Sequence, residues 1–322
     1  MERRYKKIIG ALILFGFLNT SLYGISNDSF LQVSHIDSEQ SELNRVNKDL
    51  SDLRDPNLYK SALEDLIRLG EQDNIIALFN LAVLNEVKGQ INISKRYYQR
   101  LIKVSKAKKN NEYLKKSFFN LGLILLREGD SNYIKNLSSA GELGIYKAYL
   151  ILGQKLNNEK YFKLAIDNGV EFSNHFYSLY LSKIGKNDLA IKFARKSYEL
   201  NENFINYSKL VSDKSLKLKI LNDGVFNEDV ESKEVLSNFY YKGYIVNKNL
   251  TTALSLIIDL KTEFSYFLKG EIYLDRKEFK KSYFNFNNYK FLVDNYSGEY
   301  RKTFNSNIDK ICTEEPTLCL KF

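Results

Sequence analysis

A small residue, three others, a large apolar residue and a second small residue recur as a frame along the chain. The frame reads ALFNLA at 77–82, SFFNLG at 117–122, AYLILG at 148–153, SNHFYS at 173–178 and SKEVLS at 232–237, with a weaker copy, NFINYS, at 203–208. Their starts are 40, 31, 25, 30 and 29 residues apart. A period of that size holds two helices of about 12 residues and two short turns. Small residues five apart lie near one another on a helix, where a neighbouring helix can approach closely and the large residue between them fills the adjacent hole. Glycines fall where the turn to a second helix is expected, at Gly89, Gly129, Gly185 and Gly243; glycine ends a helix in the left-handed conformation without steric cost. In NISKRYYQRLIKV (92–104), Ile93, Tyr97, Tyr98, Leu101 and Ile102 make one apolar stripe, as a helix on a surface requires. In contrast, IIALFNLAVL (75–84) is apolar nearly all round, as in a helix packed between others. No such pair buries its apolar face alone, so pairs must stack. The pattern predicts an all-α fold, an α-α superhelical solenoid of about six to eight helix-turn-helix repeats.

Four stretches carry a family resemblance. FFNLGLILLREGD (118–130) resembles the first helix and turn of a tetratricopeptide repeat. GKNDLAIKFARKSYELNEN (185–203) is similar to the turn and second helix of that family, with Ala190 at its small packing position. LSNFYYKGYIVNKNLTTALSL (236–256) resembles the related Sel1-like repeat, and YKSALEDLIRLGEQDNIIALFNLA (59–82) resembles a Sel1-like second helix running into the next first helix. The resemblance spans residues 59–295. It departs from the family in lacking the proline that usually follows the tetratricopeptide second helix, and it is weakest over 209–227. It implies first helices lining a groove that takes an extended peptide or a partner helix, with the asparagine before the Leu-Gly pair on its wall: Asn80, Asn120 and Asn206. An amide offers both donor and acceptor to a bound backbone.

The ends of the chain read differently. MERRYKK is a basic head, IIGALILFGFL an apolar core and NTSLYGIS a small or polar tail, the three parts of a secretory signal over residues 1–24. Cleavage is expected near Gly24 or Ser26, an uncleaved membrane anchor being the alternative. Residues 25–56 are polar and read as a flexible leader, with a short helix in 38–53 as an option. The solenoid is expected over 57–300 and a C-terminal cap over 301–322. Cys312 and Cys319 bracket TEEPTL beyond the last helical pattern; in an exported chain two near cysteines read as one structural disulfide. Location is then periplasmic or at the cell surface.

Charge alters this picture little. The formal net charge is +9, and without residues 1–24 the count is 44 basic against 38 acidic side chains, net +6, with the signs interleaved. Nucleic acid would want a basic face or stripe. The densest run, KVSKAKKNNEYLKK (103–116), reads as a solvated linker between helices. The two prolines, Pro56 and Pro316, leave the stretch between them open to helix throughout. No catalytic motif, cofactor site or metal-ligand spacing is found; the two histidines are His35, in the leader, and His175, read as a surface or packed helical residue. The expected function is a non-catalytic exported scaffold for a protein or peptide partner. The alternative is a cell-wall glycan binder or a two-carboxylate hydrolase built on the same solenoid.

Overall fold

The computed structural model describes residues 56–292 and 299–319, with side chains over 60–292 and 302–319. The signal segment and almost all of the leader lie outside the described residues. Sixteen α-helices and one 3-10 turn account for the fold, and there is no strand among the described residues. They fall in two compact units divided between Leu156 and Asn157.

The first unit holds α1 (Pro56–Glu71), α2 (Ile75–Val87), α3 (Ile91–Ala107), α4 (Asn111–Glu128), α5 (Tyr133–Glu142) and α6 (Lys147–Leu156). The second holds α7 (Glu159–Asp167), α8 (Ser173–Lys183), α9 (Asn187–Glu199), α10 (Ile205–Leu210), α11 (Lys214–Phe226), α12 (Val230–Lys242), α13 (Leu250–Ile257), α14 (Glu263–Asp275), α15 (Phe279–Leu292) and α16 (Glu299–Glu314). Within each unit every helix packs on the next in sequence, and first helices also touch first helices, α2 on α4 and α12 on α14. This is the arrangement of stacked hairpins the frame predicts.

Capping chemistry sets where helices begin. Asn74 Oδ1 accepts from the backbone N–H groups of Ile76 and Ala77, and Asn249 Oδ1 from those of Thr251 and Thr252. Asp213 and Asp229 cap α11 and α12 in the same way. Each satisfies N–H groups that the first helical turn leaves unpaired. At the other end, Gly243 closes α12 with φ +75° and its N–H donates to Phe239 O at 2.8 Å. The backbone turns there into residues 243–249 and α13.

The frame marks where helices cross. Its second small residue faces the second helix of its own hairpin: Ser178 Oγ donates to Ala190 O and Ser237 Oγ to Ala253 O, both at 2.7 Å and fully buried. Its first small residue faces the preceding hairpin, as Ser232 on α12 does, lying so close to Gly224 of α11 that a Cβ there would meet it. Buried hydroxyls that bond across the crossing hold two backbones together at little volume, each contributing about 1 kcal/mol. The same spacing makes α2 an inner helix, touching α1, α3 and α4.

Three expectations are corrected. The basic run at 103–116 is no linker: it is the end of α3 and the start of α4, joined by residues 108–110 alone. Lys115 and Lys116 reach Glu112 at 2.6 and 3.0 Å, so the lysines are spent on helix ends. The buried face of α3 is centred on Ser94, Tyr98, Leu101 and Ser105, leaving Ile93 40 % exposed at the edge of the stripe. Small residues at the crossing, rather than the largest apolar ones, decide which side faces in. Lastly, Cys312 lies inside α16, not beyond the helical pattern. The weakly matching stretch at 209–227 holds the end of α10 and the whole of α11, a helix pair whose first helix is cut to six residues. Phe204, Tyr207, Val211 and Ile220 give it a core with Ala194.

The chain's last described segment folds onto α14 and α15. Cys312 and Cys319 form a disulfide, Cα–Cα 5.7 Å, across the 3-10 turn Pro316–Leu318. It draws Leu318 onto a cluster of Phe267, Phe286, Tyr289, Phe304 and Ile311. Replacing both cysteines by serine is expected to lower stability by about 2–3 kcal/mol, the value for so short a closed loop. Hydrogen exchange should rise over residues 299–319 while α1–α5 keep their protection; a uniform rise would contradict a local clamp.

Candidate binding cleft

An open cleft of about 670 Å³ lies in the second unit where the end of α13 and the turn after it meet α14 and α15. Its walls follow from local structure. Thr262 caps α14 in a reciprocal box with Ser265, which fixes where the turn 258–262 ends and the helix begins. Ser282 Oγ on α15 donates to Gly270 O on α14 at 2.8 Å, and the ring of Phe286 lies where a side chain on Gly270 would stand. That close crossing fixes Lys269, one residue before Gly270, against the base of the cleft.

Lys269 is 4 % exposed. Its ammonium donates to Leu260 O at 2.6 Å and to Ile258 O at 3.3 Å, and sits 4.5 Å from the centre of the Tyr266 ring. The two carbonyls belong to the end of α13 and the turn beyond, where a helix leaves acceptors unpaired and favours a cation. Burial pushes the Lys269 ammonium below the usual lysine range; nearby Asp259 raises it and Lys261 lowers it further. No carboxylate is within ion-pairing distance of it among the described residues.

Lysines 261, 280 and 281 complete a basic lining against a single carboxylate, Asp259. Lys281 is held by Glu278 at 2.7 Å, which raises its pKa, and lies over the Tyr273 ring. Phe284 and Ile258 stand on the rim, 65 % and 46 % exposed, and buried Asn285 donates to Lys281 O. The cleft thus offers cations, backed by two tyrosine rings, and exposed apolar surface.

The asparagines expected on a groove lie elsewhere. Asn80 on α2 and Asn120 on α4 occupy the same frame position on two first helices that touch, and both are half-buried. Asn120 Nδ2 donates to Tyr98 Oη at 3.0 Å; that hydroxyl, pushed far above its ordinary range by burial, donates on to Glu86, which pairs with Arg127. Asn206 is buried in the second unit and donates to Ser178 Oγ at 3.0 Å. His175 is half-buried on α8 with its ring edge on Phe176, its pKa lowered by burial. Among the described residues no three His, Cys, Asp or Glu side chains are grouped as a metal site would need.

Sequence reasoning missed the cleft, yet a signal was present. Residues 265–270 read SYFLKG, a seventh copy of the frame with Lys269 in the place filled by Leu81, Leu121, Leu152, Tyr177, Tyr207 and Leu236. A search that demands an apolar residue at that position skips it.

No protein-family model and no curated protein matches the sequence. Solved structures do. A Sel1 repeat protein from Oxalobacter formigenes superposes with a TM-score of 0.64 at 13 % identity, over 80 % of this chain and 84 % of that one. The uropathogenic Escherichia coli protective antigen c5321, displaying an SLR fold, gives a TM-score of 0.52 at 14 % identity, over 86 % of this chain and 65 % of the antigen. The fold is that of the Sel1-like and tetratricopeptide repeats. Yeast Tom70 matches the same architecture with a TM-score of 0.52 at 13 % identity, over 91 % of this chain and 69 % of its own. At such identities the Sel1-like likeness is one of architecture, so the chemistry of the cleft has to be read from this chain's own residues.

Proposed function

We propose that this Sel1-like solenoid is a non-catalytic, exported scaffold that holds a protein or peptide partner in the cell envelope. The observation that carries the reading is the cleft on α14, which is furnished for binding, with cations, rings and an apolar rim, and has one carboxylate where a hydrolase needs two. Stacked hairpins within a unit present such surfaces in series as a binding face. Asn80 and Asn120, in register on touching first helices, are proposed to form a face of their own in the first unit by pairing with a partner's backbone. Asn120 spends one N–H on Tyr98, and an amide has further hydrogen-bonding capacity. Asn206 is proposed to serve the second unit's face from beneath, by fixing Ser178.

Export is supported by the three-part signal pattern at 1–24 and by the disulfide, which persists in oxidising compartments. No helix among the described residues is long and apolar enough to cross a membrane. Affinity capture of the tagged full chain from native envelopes, with and without digestion of the wall polymer, tests the proposal. A stoichiometric protein that survives digestion is the expected result. Recovery of glycan alone would overturn the scaffold in favour of a wall binder.

A further inference from the structure

We propose that the α13–α15 cleft anchors an acidic stretch of the partner protein, aspartates and glutamates flanking an aromatic or aliphatic residue. The inference rests on the scaffold reading and names the chemistry of the partner. Three independent observations lead to it.

The first is the broken frame. Six copies place Leu or Tyr at the large position and bury it; the seventh buries an ammonium there. A local rule broken in the interior of an otherwise regular array is where function is expected to be found. The second is charge. Lys269 has given two donors to carbonyl oxygens, but carbonyls do not neutralise a cation, and an ammonium has a third donor. With Lys261 and Lys280 also unpaired among the described residues, the lining calls for negative groups from outside. The third is the rim. Phe284 and Ile258 expose apolar surface beside those charges, and the Tyr266 and Tyr273 rings back it.

Together these favour a protein segment over other polyanions. A nucleic acid or a sulfated polymer is held by a long row of cations, whereas four lysines line this cleft of about 670 Å³, a size that takes a few side chains. No arginine lines it, so the two-pronged grip that favours phosphate is missing. Lysines are separate point charges, suited to carboxylates spaced along a flexible chain.

The test is fluorescence anisotropy on the disulfide-intact full chain with dye-labelled peptides capped at both ends. One has acidic residues around a phenylalanine; in the second each Asp or Glu is replaced by Asn or Gln; in the third the phenylalanine is replaced by Ser. The acidic peptide should bind at least tenfold more tightly than the amide version and several-fold more tightly than the serine version, with affinity falling as salt rises. Lys269→Met should weaken the acidic peptide at least tenfold, and Phe284→Ser several-fold, with an unchanged helical spectrum. Should Lys269→Met not fold, the exposed pair Lys261→Gln and Lys280→Gln carries the same expectation. Equal binding of acidic and amide peptides, no loss in these variants, or tighter binding of a single-stranded oligonucleotide or heparin fragment would overturn the proposal. A protein captured from envelopes with no acidic preference here would sink this inference and leave the scaffold standing. Acidic preference with glycan alone captured would overturn the scaffold reading, and with it the assignment of that preference to a partner protein.

Discussion

Phe286→Ala is expected to destabilise the second unit by about 3–5 kcal/mol, the cost of deleting a fully buried aromatic side chain. Phe286 is 0 % exposed and its ring meets those of Phe267 and Phe304 edge-on, each at 5.7 Å. It therefore joins α14, α15 and α16 through one side chain. The converse change is informative because its sign is a contest. Gly270→Ala removes a helical glycine, worth about 1 kcal/mol in its favour. The added Cβ, however, would stand 2.7–2.8 Å from three atoms of the Phe286 ring. A rigid ring packed on both edges cannot turn away, so overpacking of about 1–3 kcal/mol should prevail. Combining Gly270→Ala with Phe286→Leu should cost less than the two singly, since the smaller side chain clears the new methyl. Urea unfolding followed by circular dichroism gives the free energies, and hydrogen exchange shows whether α14–α16 open first, as neighbour-coupled repeats allow. A cost below about 1 kcal/mol for Phe286→Ala would mean that this crossing is not packed as described.

The frame's success and its omissions share one cause. Close approach of two backbones demands small residues at fixed spacing, and no other residue type substitutes, so Ala82, Gly122, Ser178 and Ser237 could be read directly as crossings. Turns are less demanding. Gly89, Gly129, Gly185 and Gly243 were visible, but Asp73, Lys109, Glu228 and Lys277 take the same positive φ without glycine and gave no signal. Hence the basic run around Lys109 looked like a linker although it spans one tight turn. The short α10 escaped because a six-residue helix has too few turns to show a period. The asparagines illustrate a different limit. Asn80, Asn120 and Asn206 share a frame position, yet Asn206 is buried on Ser178 while Asn120 reaches back to Tyr98 on α3. Position within a repeat is written in the sequence; which neighbour an amide meets depends on the preceding hairpin.

Lys269 belongs to neither category, and its stability should separate a structural pin from a binding group. Lys269→Met keeps the unbranched stem and removes the charge. At neutral pH the variant is expected to be as stable as the parent or more so, by up to about 2 kcal/mol, because burying an unpaired cation costs more than its two hydrogen bonds return. The carbonyls of Ile258 and Leu260 border an open cleft, where water can replace the ammonium. The pH dependence follows from the direction of the shift. Burial lowers the folded-state pKa of Lys269 below its unfolded value of about 10.4. Through that window the unfolded chain binds more protons, so the parent gains stability as pH rises from the lowered value towards about 10.4. The methionine variant lacks that gain, so its advantage should shrink steadily over the same range. Buried tyrosines such as Tyr98 and Tyr177, whose hydroxyls are pushed upward, titrate in both proteins and cancel in the difference. Paired urea titrations at several pH values from neutral to about pH 10 measure it. A loss of more than about 2 kcal/mol at neutral pH would make Lys269 a structural tie between α13 and α14, and the broken frame would then need no ligand to explain it.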